Sequence, residues 1–480
     1  MISKLYTIQK ELLRSTTGKL GSVFLLILLS ISIFAIIYNP VNFGNELWNN
    51  PSIWADNPKN APPSWSSLFQ NVKPVKHTIF VSSKPDEIHE MQNGTQQIYR
   101  FSTDFKYDEP PSFTSFSVGN ITYHKGPPII DVSIVRPDKK EIYLYKLVVA
   151  GPRDKEKPPY KRYIKTPFRL QLTGDPNTAT QVSKFLKSEF NLSVNSTELV
   201  GDIEKIIFGQ LITLSNQEFK PLKGNYTIQI YIRFQTSADS VDNTQFVIGG
   251  SNYGLMGTDS LGRDLARGLL YGFPVALTIG IVTSVMVTII GTSLGIISGY
   301  IGGKTDIAIQ RFSDILSNIP LLPILLFLAF ILGQKLWIVM ATLVVFGWPG
   351  MTIVIRSMVL QIKSGQLIEA STSIGMSKFR IMTRHIFPQI APFVFAQMMF
   401  FTPAAILAEA GLSFLGLGDT SIPTWGQILD QGFKTGAVYV GYWWWVLPPG
   451  ILIILTALTF VLIALGMEQI VDPRLRRVNK

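Results

Sequence analysis

The chain has 480 residues, of which 47% are hydrophobic and 16% charged, with a mean hydropathy of +0.26 and a net charge of +11. This is more apolar length than one soluble core needs, and it occurs in blocks, which excludes a simple soluble domain and indicates a multi-pass membrane protein. The absence of Cys excludes disulfides, thiolate metal sites and a cysteine nucleophile.

Six apolar blocks are predicted to cross the membrane. The first, residues 20–38, follows a basic tail, residues 1–19. It ends at Tyr38-Asn39-Pro40 without the small-x-small site of a cleaved signal peptide, so we predict a retained anchor. The remaining blocks lie between residues 275 and 466, at about 275–300, 315–332, 336–355, 391–407 and 450–466.

Basic residues predict the orientation of these spans. Residues 39–265 hold 25 basic and 23 acidic residues, so the excess positive charge lies elsewhere. Of the other 18 Lys and Arg, 15 lie on the side that carries both termini, including the tail 467–480. The positive-inside rule makes this side the cytoplasm of a cell-membrane protein and residues 39–265 extracellular. No basic run has interleaved aromatic residues, so nucleic acid is not an expected partner, whereas membrane lipid is.

Residues 39–250 are too long for a loop and predict an inserted extracellular α+β domain. Strand patterns occur at 78–81, 97–101, 142–149 and, most clearly, 226–235, where apolar and polar residues alternate. Helix-period apolar residues occupy 178–190 and 196–214. The first part, 39–74, is rich in Asn, Pro, Trp and Ser and is interpreted as an extended connector.

Glycosylation sequons are confined to this insertion. A single Asn-x-Ser/Thr is a weak signal, but five within the segment predicted to be outside favour an exported domain. The candidate acceptors are Asn93, Asn120, Asn191, Asn195 and Asn225.

Two glycine-containing patterns follow the insertion. Residues 251–274 contain a GTDSLGRD segment, whose notable positions are Gly257, Thr258, Asp259, Gly262, Arg263 and Asp264. In the next span, Gly291, Gly295 and Gly299 recur every four residues, a stripe that permits close helix packing. The partner of this stripe, in the same subunit or in another one, stays open at this point.

A polar, basic segment, residues 363–389, separates two of the apolar blocks; we call it the island. It predicts a short helix, a break at Gly375, and a second helix that stops at Pro388. Such an island docks a partner, with an amphipathic linker as the alternative. Glu369 alone is also explained as a carboxylate serving a helix dipole. The positions singled out are Glu369, Ala370, Ser371, Gly375, Arg380 and Pro388.

Glu409 is the one acidic residue in the apolar blocks that stands out as a candidate. It is interpreted either as a pathway residue or, preferably, as a structural residue that binds backbone groups of the turn starting at Gly411. The four His do not cluster, so neither a metal site nor a catalytic constellation is predicted.

The island resembles the EAA loop of ABC importer permeases. Gly375 and Pro388 have the spacing of that loop, whereas Ser371 replaces its second Ala, and His385 and Phe387 replace the usual Ile and Leu.

Other segments resemble the dipeptide and oligopeptide branch of the same permeases, specifically its "C" subunits. Residues 257–264 resemble the GTDxxGRD signature, 412–418 the stretch between the last two spans, and 472–476 the C-terminal ending. The resemblance covers the first span and about residues 250–480. The large insertion departs from the compact bacterial pattern.

This resemblance implies an all-α polytopic protein with six transmembrane helices and the ABC type I importer permease fold, into which the extracellular domain is inserted. It also implies a transport subunit rather than an enzyme, with the island as the contact to a cytosolic ATPase. The implied partners are a homologous "B"-type permease, two ATP-binding cassette subunits that carry ATP and Mg²⁺, and an extracellular substrate-binding protein.

The chain itself has no phosphate-binding loop. Gly303-Lys304-Thr305 matches the end of such a loop, but Ser298 occupies the position of its first Gly. No cofactor is therefore expected here. Oligopeptides or dipeptides are the expected cargo, with oligosaccharides such as cello-oligosaccharides, or nickel, as alternatives. A secondary transporter is a distant alternative, and a sensor would need a larger cytosolic domain.

Overall fold

The computed structural model describes residues 12, 15–40, 42–69, 71–92, 94–213 and 218–471. The chain divides into two compact units. We call Met1–Asn50 with Leu265–Lys480 the membrane unit, and Pro51–Asp264 the inserted domain.

The inserted domain begins and ends later in the chain than the predicted 39–250. Helix α1 (Thr16–Tyr38) is followed by a π-helix, Phe43–Trp48, that belongs to the membrane unit because both of its terminal aromatic rings are buried there. Residues 251–264 belong to the inserted domain. The connector predicted for 39–74 also contains helix α2 (Pro51–Trp54) and a 3₁₀ helix, Ser64–Phe69.

Antiparallel strands make up most of the inserted domain. They are β1 (Thr78–Ser82), β2 (Glu87–Met91), β3 (Gly94–Phe105), β4 (Thr114–Tyr123), β5 (Ile129–Val135), β6 (Glu141–Val148), β7 (Tyr160–Arg162), β8 (Phe168–Gln171), β9 (Gly209–Thr213), β10 (Glu218–Pro221), β11 (Gly224–Phe234) and β12 (Ser240–Ile248). One sheet has the order β2-β3-β11-β5-β6, and the other β1-β12-β4-β7 with β8 also paired to β4. Strands β9 and β10 form a separate pair. The two sheets share one core, in which the rings of Phe116 and Tyr145 lie 5.8 Å apart.

The alternating pattern predicted at 226–235 is confirmed by β11. Ile228, Ile230 and Ile232 are fully buried, while the side chains between them are half-buried. Alternate residues of a strand point to opposite faces, so one face of β11 lies in the core. Strands are also confirmed at the three other predicted positions.

One of the two helices predicted in the domain is confirmed. Helix α3 (Pro176–Phe190) begins after Asp175, whose carboxylate accepts the Thr178 N–H at 2.7 Å. The prediction of one helix over 196–214 is wrong. The chain instead forms α4 (Ser196–Leu199), α5 (Ile203–Ile207) and then β9, because Gly201 has a φ of 97° and interrupts the helix.

The membrane unit is helical. Its helices after α1 are α6 (Leu265–Ile301), α7 (Gly303–Asn318), α8 (Leu321–Leu332), α9 (Leu336–Lys363), α10 (Gln366–Ser373), α11 (Lys378–Ile381), α12 (Phe387–Phe414), α13 (Trp425–Lys434), α14 (Ala437–Val440) and α15 (Trp443–Val471). Among the described residues, five helices are long and apolar enough to cross a membrane, or up to six if one bent pair is a single span.

That bent pair covers the predicted span 315–332. Helices α7 and α8 meet at 79°. Ile319, between them, is extended, with φ of −82° and ψ of 123°. This is the conformation that a following proline, here Pro320, imposes on its predecessor. The predicted span is therefore bent at Pro320.

A buried carboxylate links the helical and sheet parts of the inserted domain. Oε1 of Glu204, in α5, accepts hydrogen bonds from Thr114 N at 2.9 Å, Thr114 Oγ1 at 2.8 Å and Thr173 Oγ1 at 2.6 Å. Burial raises the pKa of Glu204 from 4.5 to about 6. The folded domain therefore binds the Glu204 proton more tightly than the unfolded chain does.

We predict that protonation of Glu204 stabilises the domain below pH 4.5, and that this contribution, about 2 kcal/mol, is lost as pH rises through 6. Glu204→Gln keeps the accepting oxygen and should abolish this pH dependence. Glu204→Ala removes the acceptor of three hydrogen bonds, and only the Thr114 N–H keeps another acceptor, Thr173 Oγ1 at 3.2 Å. It should lower the free energy of unfolding by about 1–3 kcal/mol. The stability of the domain at each pH is measured by hydrogen exchange of the β4 amides in the full-length protein, corrected for the intrinsic exchange rate. An unchanged pH profile in Glu204→Gln would contradict the assignment.

Candidate coupling and translocation site

The first half of the island is a helix closed by a glycine. Helix α10 ends at Ser373 with Ile374 as its C-cap, and Gly375 adopts a φ of 75°. The N–H groups of Gly375 and Met376 donate to the carbonyls of Thr372 at 2.9 Å and Ser371 at 3.1 Å. This is a Schellman motif, in which a left-handed residue satisfies the last carbonyls of a helix. The predicted break at Gly375 is present.

The island has one buried face and one exposed face. Ile368, Ile381 and Ile386 are buried in one core cluster with residues of α6, α9 and α12. Ser371 is also buried, and its hydroxyl donates to the carbonyl of Leu367 at 2.7 Å, so this hydroxyl is satisfied within the helix.

The exposed face combines apolar and charged side chains. Ile374 and Phe379 are 76% and 73% exposed. Beside them in sequence, the exposed side chains of the island include Leu367, Glu369, Ala370 and Arg380. Large apolar side chains exposed next to charges are typical of a protein interaction surface.

Pro388 does not end the second helix, contrary to the prediction. Helix α11 passes through a π-helical turn, Met382–Ile386, into α12, so the helix is continuous from Lys378 to Phe414. In that turn the N–H of Phe387 donates to the carbonyl of Met382, five residues earlier. A proline lacks an N–H and its ring crowds the preceding turn, and the wider π turn accommodates both effects. The basic arm of the island is thus a direct extension of a membrane helix.

An ion-pair network joins three helices. Arg356 of α9 donates from Nε and a terminal guanidinium nitrogen to the two carboxylate oxygens of Asp306 in α7, both at 2.6 Å. The Ser298 hydroxyl, in α6, donates to the same carboxylate at 2.5 Å and accepts from Gln310 Nε2 at 3.0 Å. A bidentate pair of this kind fixes the relative orientation of its helices. The sequence analysis missed this network, because helix partners distant in sequence carry no local signal.

The glycine stripe packs against α9 of the same chain. A Cβ atom added to Gly291, Gly295 or Gly299 would lie 2.7–2.8 Å from the Cβ atom of Met351, Ile355 or Val359, respectively. The hydroxyl of Thr352 donates to the carbonyl of Gly291 at 3.1 Å. The stripe therefore serves helix packing, as predicted, but its partner is α9 rather than another subunit.

A groove of about 510 Å³ runs between α6 and the continuous helix that includes α12. Thr288, Thr292 and Ser293 of α6 line it, together with Phe379 and Thr383 of the island. The hydroxyls of Thr288 and Thr292 are buried and have no hydrogen-bond partner among the described residues. Two hydroxyls without a partner therefore lie within the wall of the groove, which is mostly apolar.

Glu409 is buried in α12, away from that groove. Its Oε1 accepts the Ser413 hydroxyl at 2.6 Å, and Ser413 lies 3.5 Å from the hydroxyl of Thr424, the N-cap of α13. The carboxylate thus contacts a hydroxyl on its own helix rather than the backbone of a turn. This geometry fits a structural link between α12 and the start of α13.

The GTDSLGRD segment is organised around Asp259. This carboxylate is fully buried and accepts the backbone N–H groups of Leu261 at 2.8 Å and Arg263 at 2.9 Å. It also pairs with Arg263 Nε at 2.5 Å. Gly257 and Gly262 have positive φ, and Asp264 pairs with Thr258 in a β-bridge. The segment is a closed loop held by one carboxylate.

The same segment joins the two ends of the inserted domain. Thr258 donates its hydroxyl to Pro58 O at 2.6 Å and accepts the Ala61 N–H at 2.9 Å. Asn57 donates to Gly262 O at 2.9 Å. We call this contact the clasp. The sequence analysis treated residues 57–61 as connector, and only their side-chain amides hinted at such a contact.

A family profile described as "Binding-protein-dependent transport system inner membrane component" matches residues 291–477. The dipeptide transport system permease protein DppC of Bacillus subtilis is 35% identical over 222 residues, covering 46% of this chain and 69% of that protein. The oligopeptide transport system permease protein OppC of Haemophilus influenzae is 32% identical over 223 residues, covering 46% and 71%. The inward-facing MetNI methionine ABC transporter aligns over 43% of this chain and 96% of that chain, with 21% identity and a TM-score of 0.36.

The chain belongs to the dipeptide and oligopeptide permease family of ABC importers. It is thus a multi-pass membrane protein and a transport subunit, and its similarity is to the C-type permeases. The profile match begins at Gly291 within α6 and includes the ion-pair network and the whole island. The inserted domain lies outside that match.

The candidate glycosylation residues of this permease lie in different local structures. Asn191 and Asn225 are exposed, the first in a left-handed conformation at the end of α3. Asn195 caps α4, and Asn120 hydrogen-bonds to Asp242. Asn93 lies outside the described residues. Within the described part of the chain, no cluster of three metal-ligating side chains occurs.

We predict that Arg356 and Asp306 stabilise the permease as a pair. Arg356→Met and Asp306→Asn should each lower the free energy of unfolding by about 2 kcal/mol, because each leaves a half-buried charge without its partner. This value lies between those of surface and buried ion pairs. Thermal unfolding in detergent measures this, with Ser357→Ala, on an exposed neighbour, as the control. The double variant should be about as stable as either single variant. Additive losses would mean that the two residues act independently.

Proposed function

We propose that this chain is one of two permease subunits of an ATP-driven, binding-protein-dependent importer of oligopeptides or dipeptides. The observation that carries the proposal is the island. It has an exposed apolar and charged face, and its buried face packs on α6 and α9. Such a surface suits a cleft in a cytosolic ATPase subunit, and the rest of the chain supplies the moving helices.

The island would transmit movement through contacts within the permease. Ile374 and Phe379 would enter the ATPase cleft, with Glu369 and Arg380 pairing with its charged groups. Because the second arm continues into α12 without a break, displacement of the island would move that membrane helix directly. The packing of α6 on α9 would carry the movement further.

The groove between α6 and α12 is our candidate for this subunit's half of the translocation pathway. Phe379 and Thr383 belong to both the island and the groove wall, so movement of the island would change the groove. A homologous "B"-type permease would supply the other half. Two ATP-binding cassette subunits would bind ATP and Mg²⁺, since Gly303-Lys304-Thr305 starts helix α7 and does not follow a strand.

Peptides are favoured as cargo because the relatives are named as dipeptide and oligopeptide permeases. Oligosaccharides and nickel stay as alternatives that an external substrate-binding protein would select. A secondary transporter would need an acidic residue that binds the coupling ion. Glu409 is the candidate, but it is bound to Ser413 and is not among the residues that line the groove.

We predict that Glu369→Lys and Gly375→Pro leave the permease in the membrane but abolish substrate-stimulated ATP hydrolysis by the assembled importer. The first reverses a charge on the docking face. The second cannot adopt a φ of 75° and lacks the N–H that binds Thr372. Gln361→Lys, an exposed position outside the island, is the control and should keep stimulation. Normal substrate-stimulated ATP hydrolysis in both island variants would contradict the proposal that the island couples the two subunits.

We further propose that the inserted domain, within residues 39–265, is extracellular and that both termini are cytoplasmic. The supporting observation is the asymmetry of basic residues.

Because the chain has no Cys, single-cysteine variants can be labelled at one position only. We choose Ile88→Cys in the domain and Ile374→Cys in the island, because the native side chains are 60% and 76% exposed. A membrane-impermeant maleimide should label the first in intact cells and the second only after permeabilisation. The reverse labelling pattern would mean that the inserted domain is cytoplasmic and the island extracellular.

A further inference from the structure

The 3₁₀ helix Ser64–Phe69 carries an exposed apolar patch within the inserted domain. Leu68 and Phe69 are 82% and 83% exposed, and Trp65 is 41% exposed with its ring 6.4 Å from that of Phe69. Leu255, 72% exposed, lies beside them, because its carbonyl accepts the Trp65 indole N–H at 2.8 Å. We call Trp65, Leu68, Phe69 and Leu255 the apolar patch.

The polar groups around this patch are satisfied internally. The hydroxyl of Ser66 donates to Pro63 O at 2.7 Å, and that of Ser67 to Ser64 O at 2.8 Å. The Ser64 N–H donates to Gly254 O at 2.9 Å. A turn that leaves water must keep its polar groups bonded, since an unpaired group costs free energy in an apolar medium. These three donors of the turn meet that condition, although its large side chains are exposed.

The surroundings of the patch are those of a membrane-interface segment. No charged residue lies between Lys59 and Lys73 in the sequence, and both lysines and Lys76 are exposed. Asp108, which accepts the Lys73 backbone N–H, is paired with Lys223 Nζ at 2.6 Å. Segments that combine a Trp, exposed apolar side chains and flanking lysines typically bind at the boundary between lipid headgroups and acyl chains. The lysines then lie near anionic headgroups.

The chain itself holds this domain at a membrane. Helix α1 precedes it and α6 follows it, and both are candidate spans. Leu255 is ten positions before Leu265, where α6 begins. A tether of this kind keeps the local lipid concentration high, so that even a small apolar patch binds.

We propose that the apolar patch inserts into the lipid surface of the membrane that the chain spans and anchors the inserted domain there. Leu68 and Phe69 enter the acyl-chain boundary, and Trp65 lies at headgroup level. The bilayer is a better occupant than a soluble partner because the hydroxyls of Ser66 and Ser67 are already bonded within the turn, while its flanking cations match anionic lipid.

Single-cysteine labelling tests this in the full-length protein. Leu68→Cys and Phe69→Cys, each carrying an environment-sensitive fluorophore, are compared with Ile88→Cys, an exposed apolar position on β2 of the same domain. In nanodiscs of phosphatidylcholine and phosphatidylglycerol, doxyl-labelled lipid should quench the probes at 68 and 69 several-fold more than the probe at 88. Aqueous iodide should show the opposite order. Both replaced side chains are exposed, so the variants should fold.

Two results would overturn the proposal that the apolar patch is a lipid anchor. One is equal quenching by iodide at 68, 69 and 88, which would leave the patch in water. The other is protection of 68 and 69 only after a soluble substrate-binding protein is added, which would make the patch a protein-docking surface. Loss of the difference between 68 and 88 when phosphatidylglycerol is omitted would support the contribution of the flanking lysines.

Discussion

The close contact between α6 and α9 is the constraint on which the membrane unit depends. Three glycines on one face of α6 allow the two backbones to approach until no Cβ atom fits between them. In an apolar solvent, where exclusion of water does not drive helix association, such packing and the Thr352 hydrogen bond to Gly291 hold the helices together. A larger side chain at any of the three positions would push α6 and α9 apart at that contact.

The island depends on that contact because its buried face rests on both helices. Ile368, Ile381 and Ile386 share a core cluster with Tyr300 of α6 and Ile355 of α9. The Asp306–Arg356 pair holds α7 to α9 in the same unit. The island is therefore fixed to the spans by packing on one side, while its other side is exposed. A rigid element with these two faces is what coupling between subunits requires.

The inserted domain obeys a different constraint. A domain placed between two membrane helices must bring its two ends together, and the clasp does this with few residues. Asp259 organises one end, and Thr258 and Asn57 join it to the other. The residues of the GTDSLGRD segment thus have a structural role in the domain, because the buried Asp259 needs Arg263 and the loop N–H groups as partners.

Features with a local physical cause could be predicted from the sequence alone. These are the apolar spans, the break at Gly375, where a left-handed residue ends a helix, and the alternation of β11. The tertiary structure decided the rest. It selected α9 as partner of the glycine stripe, carried the helix through Pro388 by a π turn, and turned 196–214 into short helices and a strand. The partner of the stripe depends on which distant residues fill the space beside α6, and a local sequence pattern contains no information about them. At Pro388 and Gly201 a local residue marks the position of the irregularity, and the surrounding structure decides its form.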